Sequence, residues 1–199
     1  MHKVIVRDLI IAQLCFFGCL SIAIMMTTIA FVDNNGLSYY AKTYPTSVPV
    51  GLGFFLCFFF LQRAASRLPV HNPPFDKLQQ MLRLVAVFLL LVMLTPDSLS
   101  QLFQGIHMAV STTLFYIEFI IAVWLTVKWH GGVVMWSLVV AMGLSGAVAF
   151  LSTIELMPYL AHSCLAYQLL FGVFLVLSTS KLIRGMEMTD SATKLVETM

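Results

Sequence analysis

Apolar residues fall in six long blocks, separated by short stretches that collect charged residues, proline, glycine and asparagine. The blocks cover residues 9–32, 47–65, 78–94, 103–127, 133–151 and 159–183. At 1.5 Å per residue each is about as long as a helix needs to cross a hydrocarbon core of about 30 Å. The pattern predicts an all-α fold, a polytopic membrane helix bundle with six transmembrane helices. This domain takes in residues 1–184, and residues 185–199 are expected to form a polar, mobile cytoplasmic tail.

The breaks between blocks carry their own signals. The first block is too long for a signal-peptide core and reads as a retained helix. Asp-Asn-Asn-Gly at 33–36 ends it, because Asn and Gly tolerate left-handed backbone. Tyr39, Tyr40 and Tyr44 suit an aromatic belt at headgroup level. Ser47 followed by Pro49 reads as a cap with proline in the first turn. Residues 67–76 (RLPVHNPPFD) read as a proline-broken loop. Thr95-Pro96-Asp97-Ser98 predicts that the fourth helix opens near residue 96, after a tight turn. Residues 128–132 (KWHGG) form a compact turn before the fifth block. There Ser137, Ala141, Ser145 and Ala149 repeat every four residues, which lets a neighbouring helix approach closely.

Composition sharpens this picture. Hydrophobic residues make up 60% of the 199 and charged residues 10%, against about a quarter charged in soluble domains. A net charge of +2 without a basic stripe gives no reason to expect nucleic acid. The four cysteines (Cys15, Cys19, Cys57, Cys164) lie inside apolar blocks and read as small buried hydrophobes. Six crossings put ten of the eleven Lys and Arg residues on the side of both termini, with Lys42 alone opposite. The positive-inside rule then makes both termini cytoplasmic, and the setting is a plasma or bacterial inner membrane.

Candidate chemistry centres on the fourth block. Glu118 stands deep in it, where an ionisable group costs about 2.5–3.5 kcal/mol and should face protein or water. Ser111 and His107 share its helix face, at offsets of seven and eleven residues. Desolvation penalises the charged carboxylate, so Glu118 reads either as a switchable coupling or ion-binding acid or as a structural acid. In the structural reading it is held by Tyr116, by Gln168 of the sixth block or by Gln13 of the first. The outer face collects His107, His162, Asp33, Asp97 and Glu155. Histidines with carboxylates are the donor types for zinc or for acid–base hydrolysis, but no tight ligand spacing such as HExxH occurs. No metal site is therefore assigned. Ser111, His107 and Asp97 could in principle form a nucleophilic set, yet no GxSxG elbow is present, and no catalytic residue is assigned. Gly51 and Gly53 read as helix-packing glycines, and the run Phe54, Phe55, Phe58, Phe59 and Phe60 as packing or lipid-facing wall.

The first outer loop begins in Asp-Asn-Asn-Gly and ends in Tyr-Pro-Thr-Ser before the second block. Over residues 33–49, and in the number of spans, the chain resembles DRAM-like six-helix membrane proteins. It departs from their usual pattern at Asn34 and Asn35. The resemblance implies an architecture and a membrane role, and no functional residue is carried across. The readings kept open are a non-enzymatic scaffold or lipid- or protein-interacting component, a small transporter or channel using Glu118, Ser111, His107 and Gln168, and an intramembrane hydrolase using the outer His, Asp and Glu residues. No cofactor is expected. Expected partners are membrane lipids, with a homo-oligomer or a membrane-protein partner as a further option.

Overall fold

The apolar blocks fold as long helices packed side by side in a computed structural model that describes residues 2–28, 36–42, 44–68, 73–95 and 100–197. The side chains of residues 2, 73, 74 and 186–197 lie outside that description. The spans are α1 (His2–Met26), α2 (Ser47–Ser66), α3 (Pro73–Leu94), α4 (Gln101–Lys128), α5 (Val133–Thr153) and α6 (Leu160–Glu197). One extra helical turn, Tyr39–Lys42, joins α1 to α2. The described residues contain no strand, and six helices are long and apolar enough to cross a membrane. The fold is an all-α six-helix bundle.

Short connections make successive helices antiparallel neighbours. The starts of α1, α3 and α5 therefore share one end of the bundle with the ends of α2 and α4 and the middle of α6. That is called the terminal end here, and the opposite one the loop end. α1 lies closest to α2, where Gly53 is buried against it. A Cβ at Gly53 would come within 2.8 Å of Cys19 Cβ, so only glycine allows this approach. Gly51 has open space beside it and contributes nothing similar. Large apolar side chains such as Leu14, Leu52, Leu144 and Val140 point outward. That is the expected arrangement for a surface solvated by lipid, where helix association rests on packing and a few hydrogen bonds.

Several helix ends differ from the sequence expectation. α3 starts at Pro73, inside the stretch read as a loop. Proline in a first turn lacks only an N–H that would have no intrahelical partner anyway, so Pro73 and Pro74 open this helix. Thr95 does not start α4; its hydroxyl donates back to Leu91 O (2.8 Å) and finishes α3. α4 starts at Gln101 under Ser100, whose Oγ accepts from Phe103 N (3.3 Å). Ser47 is the first residue of α2, and Thr46 before it donates its hydroxyl to Tyr40 O (2.9 Å). Of the three loop tyrosines, Tyr40 is fully buried, Tyr39 is half-buried and Tyr44 is exposed, so they do not form one belt. The phenylalanines of α2 also divide: Phe55 and Phe59 face outward, while Phe54 turns inward onto Phe16 (ring centroids 5.2 Å). α6 runs on as helix through the polar stretch to Glu197, roughly 57 Å at 1.5 Å per residue, which is longer than a bilayer core.

Candidate functional site

The inward face of α4 organises the site. His107, Leu114, Glu118, Ile121 and Leu125 are all buried on it, at the three- and four-residue spacing that keeps side chains on one stripe. His107 Nδ1 lies 2.7 Å from Thr95 O. A carbonyl can only accept, so Nδ1 carries the hydrogen, and this bond ties α4 to the end of α3. Ser111 donates its hydroxyl to His107 O on its own backbone (2.7 Å), not to the imidazole.

Glu118 is 1% exposed and meets one neutral donor, Gln168 Nε2 on α6, at 3.0 Å from Oε2. Its Oε1 has no hydrogen-bond partner among the described residues. A void of about 10 Å³ lies against Glu118, lined also by Gln13, Cys57 and Gln168. That is about the volume one water needs. Gly172 makes room for Gln13 here, because a Cβ would stand 2.3 Å from Gln13 Oε1. Tyr116 points outward, 62% exposed, away from the carboxylate.

Beside this void, towards the loop end, lies a chamber of about 650 Å³ to which all six helices contribute. Its length along α4, from Gln104 to Phe119, is roughly 22 Å. The wall is mostly apolar. Polar groups collect at the loop end, where Lys42, Gln104 and His107 lie, and Gln168 marks the deep end. Gln168, Phe16 and Leu89 line both chamber and void, so a single layer of side chains separates the chamber from Glu118. On α6, Tyr167 donates to Phe115 O (2.6 Å) and stacks edge-on against that residue's ring (4.5 Å), which ties α6 to α4.

The wall of the chamber includes the outward-facing residues Met108, Thr112, Tyr116, Ala147 and Phe150, which belong to α4 and α5. The chamber therefore communicates with the lipid-facing surface between these two helices. Gly143, Gly146 and Ala147 of α5 keep that side open. Of the small residues singled out from the sequence, Ala149 also lines the chamber, whereas Ser137, Ala141 and Ser145 do not. Periodicity showed a small-residue stripe on α5, but it could not show which face borders empty space.

The other sequence candidates are dispersed. His162 is exposed and lies edge-on to Tyr159, and Glu155 is exposed at a positive φ of 62° past the end of α5. Asp33 and Asp97 fall outside the described residues. Among the described residues, no three His, Cys, Asp or Glu side chains converge on a metal position.

One polar cluster escaped the sequence reading. Asp8, at the start of α1, is 0% exposed. Arg67 of α2 donates to its Oδ2, Arg63 Nε lies 3.4 Å from the same oxygen, and Arg7 Nε is 3.9 Å from Oδ1. An acid just before an apolar block, opposite arginines that close the next, was the available signal.

Fold and site together define a multi-pass α-helical integral membrane protein with a ligand-sized chamber and, among the described residues, two buried carboxylates. The chain matches no protein-family model, no curated protein and no solved structure.

Proposed function

We propose that this protein is a non-enzymatic, lipid-interacting membrane component that holds one amphiphilic molecule in the chamber between α4 and α5. The carrying observation is the shape and chemistry of that space. Its volume lies within the roughly 300–1,000 Å³ typical of ligand pockets, and its wall is largely apolar. It opens on the membrane-facing side, where the available molecules are lipids. A polar head fits among Lys42, Gln104 and His107, and an acyl chain fits along α4 towards Phe119 and Gln168. His107 suits this role, because Nδ1 is engaged with Thr95 and leaves Nε2 for a ligand.

The test is photolabelling of protein reconstituted in liposomes with a long-chain fatty acid carrying a terminal diazirine. Gly146→Leu projects a side chain into the chamber from a position where a Cβ makes only ordinary contact (3.5 Å) with the Tyr167 ring. Wild-type protein should be labelled on α4 or α5 within the chamber, and Gly146→Leu should lose most of that label. Equal labelling of both proteins would remove the proposal.

Glu118 favours a second reading, transport along the chamber with this acid as the coupling group. Its unpartnered oxygen faces a water-sized void one layer below the chamber floor. Proton or solute flux into liposomes containing wild type or Glu118→Gln decides the matter, and flux that does not change on substitution rejects the acid's role.

A further inference from the structure

We infer a second lipid site at the terminal end: Arg7, Arg63 and Arg67 bind the phosphate of an anionic phospholipid whose acyl chain runs along the outer face of α2. Three guanidinium groups gather around one carboxylate, Asp8. Among the described residues their ion pairs go to Asp8 alone, which leaves two positive charges over. Asp8 itself is sealed at 1% side-chain exposure, whereas the arginines are 59%, 38% and 35% exposed. Each guanidinium has five N–H donors in a planar fork, so donors not turned towards Asp8 remain for an anion outside.

The cluster also sits where a headgroup would be. Arg63 and Arg67 close the apolar block of α2, and Arg7 precedes that of α1. From Arg63 inward, Phe59 and Phe55 follow at four-residue spacing, and both are about half exposed. They form an apolar track leading away from the charges, as an acyl chain requires. Asp8 acts as the fixed centre that draws the three cations together, and the lipid phosphate supplies the missing negative charge. Basic pockets between membrane helices recognise anionic headgroups by this chemistry.

The test uses purified full-length protein in mixed micelles doped with dioleoylphosphatidylglycerol or dioleoylphosphatidylcholine, with retained lipid counted by native mass spectrometry. The anionic lipid should be retained over the zwitterionic one on the order of tenfold. Arg63→Gln with Arg67→Gln should abolish that preference, and the more exposed Arg7→Gln alone should reduce it. Asp8→Asn should keep or raise it, because the amide oxygen can still accept from Arg67 and hold the cluster while the competing charge is gone. Loss of preference in a folded Asp8→Asn protein, or full preference in both arginine variants, would overturn the inference. Millimolar inorganic phosphate should not displace the lipid; displacement would assign the site to a soluble anion and reject the lipid. Gly146→Leu should leave the preference intact, and a parallel loss there would move the lipid to the chamber.

Discussion

Two carboxylates are buried to the same degree in this bundle, and they are satisfied in opposite ways. Asp8 lies at the terminal end of α1 and is held by charge: Arg63, Arg67 and, more distantly, Arg7. Glu118 lies midway along α4 and is held by the neutral amide of Gln168. In both acids the second oxygen, Asp8 Oδ1 and Glu118 Oε1, has no hydrogen-bond partner among the described residues, so the contrast lies in the charge of the partners. Depth explains the difference. At a helix end the long arginine stems can reach an acid while their heads stay near water. Midway through the bilayer each further charge would bring its own desolvation cost, so only neutral partners are present. The comparison divides the molecule into a clamped terminal end and a loop half containing the chamber, with Glu118 at the boundary.

The sharpest way to break this contrast is to remove the clamp. Asp8→Ala leaves three arginines repelling one another between α1 and α2. Because these cations are a third or more exposed, the cost should fall below that of a wholly buried pair, at about 2 kcal/mol. Unfolding by SDS titration in mixed micelles should register it. A shift indistinguishable from wild type would mean that the cluster does not hold α1 to α2, and the two acids would no longer differ in kind.

The clamp and the carboxylate also differ in how well the sequence foretold them. Six spans followed from block length alone, and Glu118, His107 and Ser111 stood out because they are polar residues on one apolar helix. Gln168 could be named as a partner because few polar residues exist at that depth. Asp8 escaped because its partners are 55 and 59 residues away, and counting Lys and Arg by side says nothing of an acid among them. Pro73 and Pro74 misled because proline both breaks and begins helices, and only the chain on either side decides which. The chamber was invisible because empty space depends on how six helices lean together, and no periodicity within one helix records it.

A smaller effect is expected where α1 and α6 meet at the Glu118 void. Gly172→Ala places a Cβ where Gln13 Oε1 now stands. The obstacle is the far end of a flexible side chain, so Gln13 should swing aside at a cost of about 1 kcal/mol. The helices should stay in register. Reduced stability together with changed lipid labelling or liposome flux would show that Gln13 belongs with Glu118 and Gln168 as one polar unit. A loss as large as that of Asp8→Ala would instead mean that Gly172, like Gly53, exists for helix contact.

The smallest stability change is expected at Glu118 itself. Glu118→Gln keeps the shape of the side chain and can still accept from Gln168 through its amide oxygen. The group turned towards the void becomes an NH₂ donor. Gln13 lines that void, so an acceptor is within the same small space. The net change should stay within about 0.5 kcal/mol, the scale of single interhelical hydrogen bonds in membranes. That near-neutrality makes the variant informative, because any change in flux or ligand retention can then be assigned to the lost proton and not to a damaged bundle. A penalty matching Asp8→Ala would show that Glu118 is a structural acid after all. The transport reading would then fall, while the amphiphile chamber, which rests on the walls of α4 and α5, would stand on its own test.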